Sequence, residues 1–178
     1  NQFAYRWIRS SKAKRSFIYA KTLLEREVNT PEPIAYQENY STLGKLHSYY
    51  VSIQQNHDFT FRELIYQPNF PDREKILRDF TKFTYHFHDQ GILFIDHSPG
   101  NTLIKKNNEG YNFYLVDLNR MKFKVLTFQE RIKNFAKLSP DKEMFIVIAD
   151  EYAKITNKDS KEIFDMMWRE VKIARQKM

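Results

Sequence analysis

The sequence predicts an α+β fold in which a helix and a β-hairpin precede a mainly helical region. Three observations predict it. Ile76, Phe80, Phe83 and Phe87 recur at spacings of 4, 3 and 4, which makes one apolar stripe on a long helix. Two pairs of β-rich runs, "IAYQE" with "LHSYYVSI" and "TLIKK" with "YNFYLVD", are each separated by a turn signal, "NYSTLG" and "NNEG". From Leu126 onwards apolar residues keep helical spacing to the end, with breaks near Ser139-Pro140 and from Thr156 to Ser160.

In chain order, the first helix is expected from Ser11 to Arg26, with Phe17, Ala20 and Leu24 at helical spacing and Ser10 or Ser11 as its cap. "NTPEP" ends it, because Pro31 and Pro33 cannot continue a helix. The first hairpin closes near Ile53, and "QQNHD" after it is polar and irregular. "FTFRELIYQ" reads as a short helix stopped before Pro68. The long helix runs from Asp72 to Asp89, and Gly91 stands where a helix C-terminus wants glycine. "ILFI" leads into "DHSPGN" and the second hairpin. Ser139, with Pro140 at the first helical position, marks the start of a later helix. The stripe Phe164, Met167, Trp168 and Val171 reads as core packing.

Composition bounds the function. The chain has 178 residues, 42% of them apolar and 16% aromatic, enough to bury a core. It has no cysteine, so disulfides and thiolate metal sites are excluded, as suits a reducing compartment. No apolar run reaches the ~18 residues of a membrane span, and no signal-peptide pattern stands at Asn1. The net charge of +7 favours anionic partners, or serves only solubility. Nucleic acid is not expected, since aromatic and basic residues are not interleaved as a stacking surface requires.

"DHSPGN", Asp96 to Asn101, admits two readings. Pro99-Gly100 is a turn signal in itself. Its flanks suggest chemistry: Asn101 follows Asp96 by five residues, and a second acid, Asp117, comes directly after the apolar strand "FYLV". Phosphoryl transfer asks for little more than divalent metal on the phosphates and one acceptor to orient the attacking hydroxyl. Mg²⁺ prefers oxygen ligands, which Asn101 and Asp117 supply, leaving Asp96 for the hydroxyl proton.

Asp-x-x-x-x-Asn followed by strand, turn, strand and Asp resembles the catalytic core of protein-kinase-like phosphotransferases. The form His88-x-x-Gly91, then Asp96-x-x-Pro99-Gly100-Asn101-x-Leu103, is closer to the small-molecule kinases of that superfamily. "SKAKRS", "TPEPIAY", "DHSPGN" and "LVDLNRM" resemble, more narrowly, the lipopolysaccharide kinases that phosphorylate Kdo or heptose in the inner core. The resemblance spans Ser11 to Phe123. It implies a partial small lobe over residues 1–54, made of a helix and two strands, and a helical large lobe over residues 55–178 carrying the catalytic loop. It implies ATP and Mg²⁺ as cofactors, Asp96 as the catalytic acid, and Asn101 and Asp117 as metal ligands. Gln54, Gln55, Asn56 and His57 fall where a hinge holds adenine through its backbone. The acceptor implied is an anionic sugar or glycolipid, placing the protein in the cytoplasm with peripheral contact on the inner face of the inner membrane. His97, Ser98, Arg120 and Lys122 lie on the expected acceptor side. Lys12, Lys14 and Arg15 are expected to border the same basic face, or to form a solvated helix surface.

Several positions depart from the superfamily pattern. Phe94 and Ile95 replace the His and Arg that usually precede the catalytic Asp, and Ser98 stands where protein kinases often place Lys. Asp117-Leu118-Asn119 replaces Asp-Phe-Gly, so Asn119 is expected to take the left-handed backbone that glycine favours. The first helix offers no Glu for a Lys–Glu pair, since Glu25 and Glu27 lie near its end. No glycine-rich loop and no strand-borne Lys precede it; the glycines are at 44, 91, 100 and 110. Residues encoded ahead of Asn1 are expected to supply both. Without them the chain reads as a pseudokinase that binds without turnover; a kinase for another small molecule or a protein is the other alternative to the sugar kinase. His86 and His88, two apart on a helix, cannot share a metal, and His88 is expected to pack or hydrogen-bond near the catalytic loop.

Overall fold

The computed structural model describes residues 10–40 and 46–176. The leading segment through Arg9 and most of the "NYSTLG" turn lie outside the described residues. The chain opens with α1 (Lys12–Glu25), then β1 (Pro33–Tyr40) and β2 (Leu46–Ser52). These are followed by β3 (Phe59–Thr60), α2 (Phe61–Tyr66), α3 (Arg73–Asp89), β4 (Ile92–Phe94) and a 3-10 turn at Pro99–Asn101. The remaining elements are β5 (Thr102–Lys106), β6 (Tyr111–Leu115), β7 (Met121–Phe123), α4 (Phe128–Asn134), a 3-10 turn at Phe135–Lys137, α5 (Lys142–Thr156) and α6 (Ser160–Gln176).

β1 and β2 form an antiparallel pair in which Tyr36 faces Tyr50. The expected cap of α1 is present: the Ser11 hydroxyl accepts from Lys14 N at 3.0 Å. The buried face of α1 differs from the expected stripe, consisting of Ala13, Ser16, Ala20 and Leu23, while Leu24 is exposed. The reason is that the helix packs on two surfaces at once. Phe17 meets Tyr36 of the hairpin, and Ala20 and Leu23 enter a core with residues of β4, β6 and β7.

"FTFRELIYQ" divides between strand and helix. Phe59 and Thr60 pair with Ile104 and Leu103 of β5, and only then does α2 begin. Thr60 and Glu63 form a reciprocal capping box, which fixes the first helical residue at Phe61. In α3 the expected stripe is buried at Ile76, Phe80 and Phe87, and Leu77, Thr81, Thr84 and His88 widen it. Gly91 takes φ +70° beyond its end, and a Cβ there would stand 2.9 Å from Lys124 O. α5 starts two residues later than Pro140 suggested. Asp141 caps it by accepting from Glu143 N, and the Ser139 hydroxyl instead accepts from Asp141 N. The stronger side-chain acceptor thus displaces the proline signal.

Two cores result. The larger joins α2, α3, α5 and α6 around Phe61, Phe80, Phe135, Phe145 and Tyr152. The smaller joins Ala20, Leu23 and Val28 to Phe87, Ile92, Phe94, Leu115, Leu118 and Met121. Phe83 packs against both. Between α3 and α5, Arg78 donates to Glu74, Asp150 and Glu151, and these bonds raise its pKa. Among the described residues no helix is long and apolar enough to cross a membrane.

His88 and His97 are both buried. Burial pushes His88 down to about 4, with Arg131 adding to the effect and its bond to Asn134 opposing it. Burial likewise pushes His97 down to about 3, with His88 adding to it. Unfolded histidine titrates near 6.5, so below that pH the unfolded chain gains protons that the folded chain refuses. Stability from this source is complete above about pH 6.5 and declines as pH falls towards the folded values. Between pH 7 and 5 each histidine should cost about 2 kcal/mol of folding free energy. Denaturant melts at the two pH values check this, and His97→Phe should lose about half of the pH dependence.

Candidate active site

The site is assembled at the end of β4. β4 pairs antiparallel with β7, and Ile95 N donates to Arg120 O at 3.1 Å, carrying the pairing one residue further and delivering Asp96 at its tip. The chain then reverses. Ser98 N donates to Asp96 O at 2.7 Å and Asn101 N to Ser98 O at 3.0 Å, closing the turn that Pro99-Gly100 signalled. The Asn101 side chain donates through Nδ2 to Asp96 O at 2.8 Å. Its backbone carbonyl accepts from Val116 N at 3.0 Å, setting the residue before Asp117. Two hydrogen bonds from one asparagine thereby join Asp96 to Asp117.

Asp117 is exposed and left-handed at φ +57°, and Asn119 is not. The expectation for Asn119 is corrected by one reversal two residues earlier. Val116 is tied to Asn101 while Leu118 is buried in the smaller core, so the chain must turn at the residue between them. A non-glycine residue there costs about 1 kcal/mol or more, and such strain concentrates at functional sites. Asn119 Nδ2 donates to Asp117 Oδ1 at 2.5 Å, and Arg15 Nε of α1 donates to Asn119 O at 3.1 Å. Arg120 forms an ion pair with Asp96 at 3.1 Å.

The donor set suits Mg²⁺. Because Asn101 spends its NH₂ on Asp96 O, its amide oxygen is left to accept a cation. Asp117 keeps one carboxylate oxygen beyond its bond to Asn119. Among the described residues no three His, Asp or Glu converge on a metal position, so a cation here would have few protein ligands. Mg²⁺ commonly binds in that way, through one or two carboxylates with substrate phosphates and water.

The other expected residues fall into three groups. Gln54, Gln55, Asn56 and His57 form the connection from β2 to β3, with only Gln55 half-buried. Their bonds are local: Gln55 Nε2 donates to Asn56 O, and the His57 ring meets Gln55 O. Lys122 is exposed on β7 opposite Leu93, and Ser98 is half-buried in the turn. His97 is corrected: it points inward, 1% exposed, with its ring among Phe80, Phe87, Phe94 and Phe135. Successive residues leave the end of β4 on opposite sides, so an Asp96 that reaches solvent sends His97 into the core.

One basic side chain beside the site was not foreseen. Gly100 does not need glycine's backbone freedom; a Cβ there would lie 2.5 Å from the Arg62 guanidinium. The glycine makes room for Arg62 against the turn that links Asp96 to Asn101. No sequence signal joins positions 62 and 100, since the contact crosses from α2.

No protein-family model matches the chain, and no curated protein matches its sequence. Solved structures do match. The structure of WaaP in complex with acyl carrier protein superposes with a TM-score of 0.63 at 17% identity, over 93% of this chain and 74% of that one. The Rio2 kinase-ADP/Mg²⁺-phosphoaspartate complex from Chaetomium thermophilum matches at a TM-score of 0.46 and 16% identity, over 94% of this chain and 55% of that one. On the likeness to WaaP the chain has a protein-kinase-like fold.

Proposed function

We propose that the protein is an ATP- and Mg²⁺-dependent phosphotransferase acting on a sugar hydroxyl, with Kdo or heptose of the lipopolysaccharide inner core as acceptor. The observation that carries this reading is the double engagement of Asn101, which holds Asp96 and the approach to Asp117 in one place. Mg²⁺, bound by Asn101 and Asp117, would neutralise phosphate charge during transfer. Asp96 orients the acceptor hydroxyl and takes its proton. Residues 54–57 hold the adenine edge through their backbone, the part a hinge plays between a partial small lobe and a helical large lobe. Arg62, Arg120 and Lys122 supply positive charge for an anionic acceptor. Arg120 is 56% exposed and free to exchange its Asp96 partner for an acceptor anion, which releases Asp96 for the proton. The likeness to WaaP supports the lipopolysaccharide acceptor, and with it a cytoplasmic enzyme working at the inner face of the inner membrane.

A second reading, nucleotide binding without turnover, draws support from the same Arg120–Asp96 pair, which neutralises the proposed acid. The two readings part under mutation. Asp96→Asn should retain Mg·ATP binding and lower turnover by a factor on the order of 10²–10⁴. Asp117→Asn should weaken nucleotide binding in the presence of Mg²⁺ and leave metal-free binding unchanged. Titration calorimetry with and without Mg²⁺ separates these effects. Equal affinity of wild type and Asp117→Asn in Mg²⁺ would remove Asp117 from the metal site.

For the acceptor, replacing Arg120 and Lys122 together with Ala should raise the apparent KM for a Kdo-bearing lipid A and flatten its salt dependence. The KM for ATP should stay nearly constant. Arg62→Ala should act in the same direction as that pair. Steady-state kinetics across a salt series checks both, and a change confined to the ATP KM would reassign these residues to the nucleotide.

A further inference from the structure

Asn134 closes α4 and reaches two other elements with one side chain. Its Nδ2 donates to Phe94 O at 2.7 Å, and its Oδ1 meets His88 Nε2 at 2.9 Å. A backbone carbonyl only accepts, so the NH₂ must face Phe94 and the amide oxygen must accept from His88. This fixes His88 with its proton on Nε2. His88 is wholly buried in the last turn of α3, and its Nδ1 has no partner among the described residues. The backbone of Asn134 also faces the His97 ring without making a hydrogen bond of good geometry.

The carbonyl that Asn134 holds lies two residues before Asp96. The next carbonyl, that of Ile95, accepts from Lys137 Nζ at 3.4 Å, and the Ile95 N–H is held by Arg120 O. The segment entering Asp96 is thus gripped from α4 and its following turn on one side and from β7 on the other. We propose that Asn134 is a positioning residue for Asp96, acting through Phe94 O, with His88 as the group that orients its amide. The proposal rests on the phosphotransfer reading for its catalytic consequence, and on hydrogen bonding alone for its geometry.

The chemistry of the position requires an amide. Aspartate would accept from His88 but could not donate to Phe94 O, placing a carboxylate against a carbonyl. Alanine would leave both a buried imidazole N–H and the Phe94 carbonyl without this partner. Asparagine is the shortest side chain carrying both a donor and an acceptor.

The test uses the full chain, with Mg·ATP alone as the probe. Wild-type His88 should show the Nε2–H tautomer by imidazole ¹⁵N NMR, persisting at pH 5. In Asn134→Asp both His88 nitrogens should become protonated near pH 6.5, and the Asp96 amide and carboxyl resonances should shift. ATP hydrolysis should fall about tenfold in kcat, the loss typical of an orienting partner, while the KM for ATP stays within twofold. A purely structural residue would lower Tm and leave kcat per folded molecule unchanged, which would overturn the proposal. So would an Nδ1–H tautomer in wild type, or Asp96 resonances unmoved in both Asn134→Asp and Asn134→Ala. A wild type that hydrolyses no ATP, yet shows the stated tautomer and the Asp96 shifts, sinks the phosphotransfer reading and leaves the positioning geometry supported.

Discussion

The arrangement of the site depends on one side-chain hydrogen bond, from Asn101 Nδ2 to Asp96 O. It spans the turn that Pro99-Gly100 makes, and it orients the amide so that the oxygen remains for a cation. The same residue accepts from Val116 N, so the two acids keep their separation through a single asparagine. A neutral hydrogen bond of this type contributes about 1 kcal/mol to folding, which is small beside its geometric effect. Its value lies in removing alternatives: with both ends of Asn101 committed, the Asp96 turn and the Asp117 reversal cannot drift independently.

The smaller core enforces what that bond arranges. Leu118 and Phe94 are buried in it, and they flank the two acids in sequence. Asp117 is therefore pinned between a fixed Val116 and an inward Leu118, and Asp96 stands between Phe94 and the inward His97. Burial of apolar neighbours, at roughly 25 cal/mol per Å², pushes both carboxylates outward and accepts a left-handed backbone at one of them. Helix α1 belongs to the same unit. Ala20, Leu23 and Val28 enter this core, Thr30 Oγ donates to Leu115 O, and Arg15 reaches Asn119 O. The position of α1 is thus coupled directly to the loop that carries Asp117.

Charge around the site is divided between acid at the centre and base at the rim. Arg120 pairs with Asp96, Arg15 reaches the Asn119 carbonyl and Arg62 lies against Gly100, in a chain of net charge +7. The bases are mostly spent on neutral or exchangeable partners: Arg15 on carbonyls, Arg120 on a half-exposed carboxylate. Exposed pairs of this kind are weak, near 0–1 kcal/mol, so an incoming anion displaces them at little cost. The histidines contrast with this. His88 and His97 are held neutral by burial, so the interior beneath the site is built for shape and hydrogen bonding rather than for charge.

The sequence by itself determined the elements whose signals are local. The apolar spacing of Ile76, Phe80 and Phe87 gave α3, Gly91 gave its end, "NNEG" gave the second hairpin, and Asp96, Asn101 and Asp117 stood out by spacing and type. Such signals act over a few residues, through backbone sterics and helix or strand periodicity, so they survive in the sequence. Other features were decided by contacts that form only in the folded chain. Which face of α1 is buried depends on the hairpin that follows it and on strands far along the chain. The inward turn of His97, the left-handed Asp117, the seat of Arg62 over Gly100 and the bridge of Asn134 to Phe94 and His88 depend on them too. Those outcomes rest on burial and directional hydrogen bonds between residues as many as 104 positions apart, and only tertiary packing selects among the local conformations that each residue allows by itself.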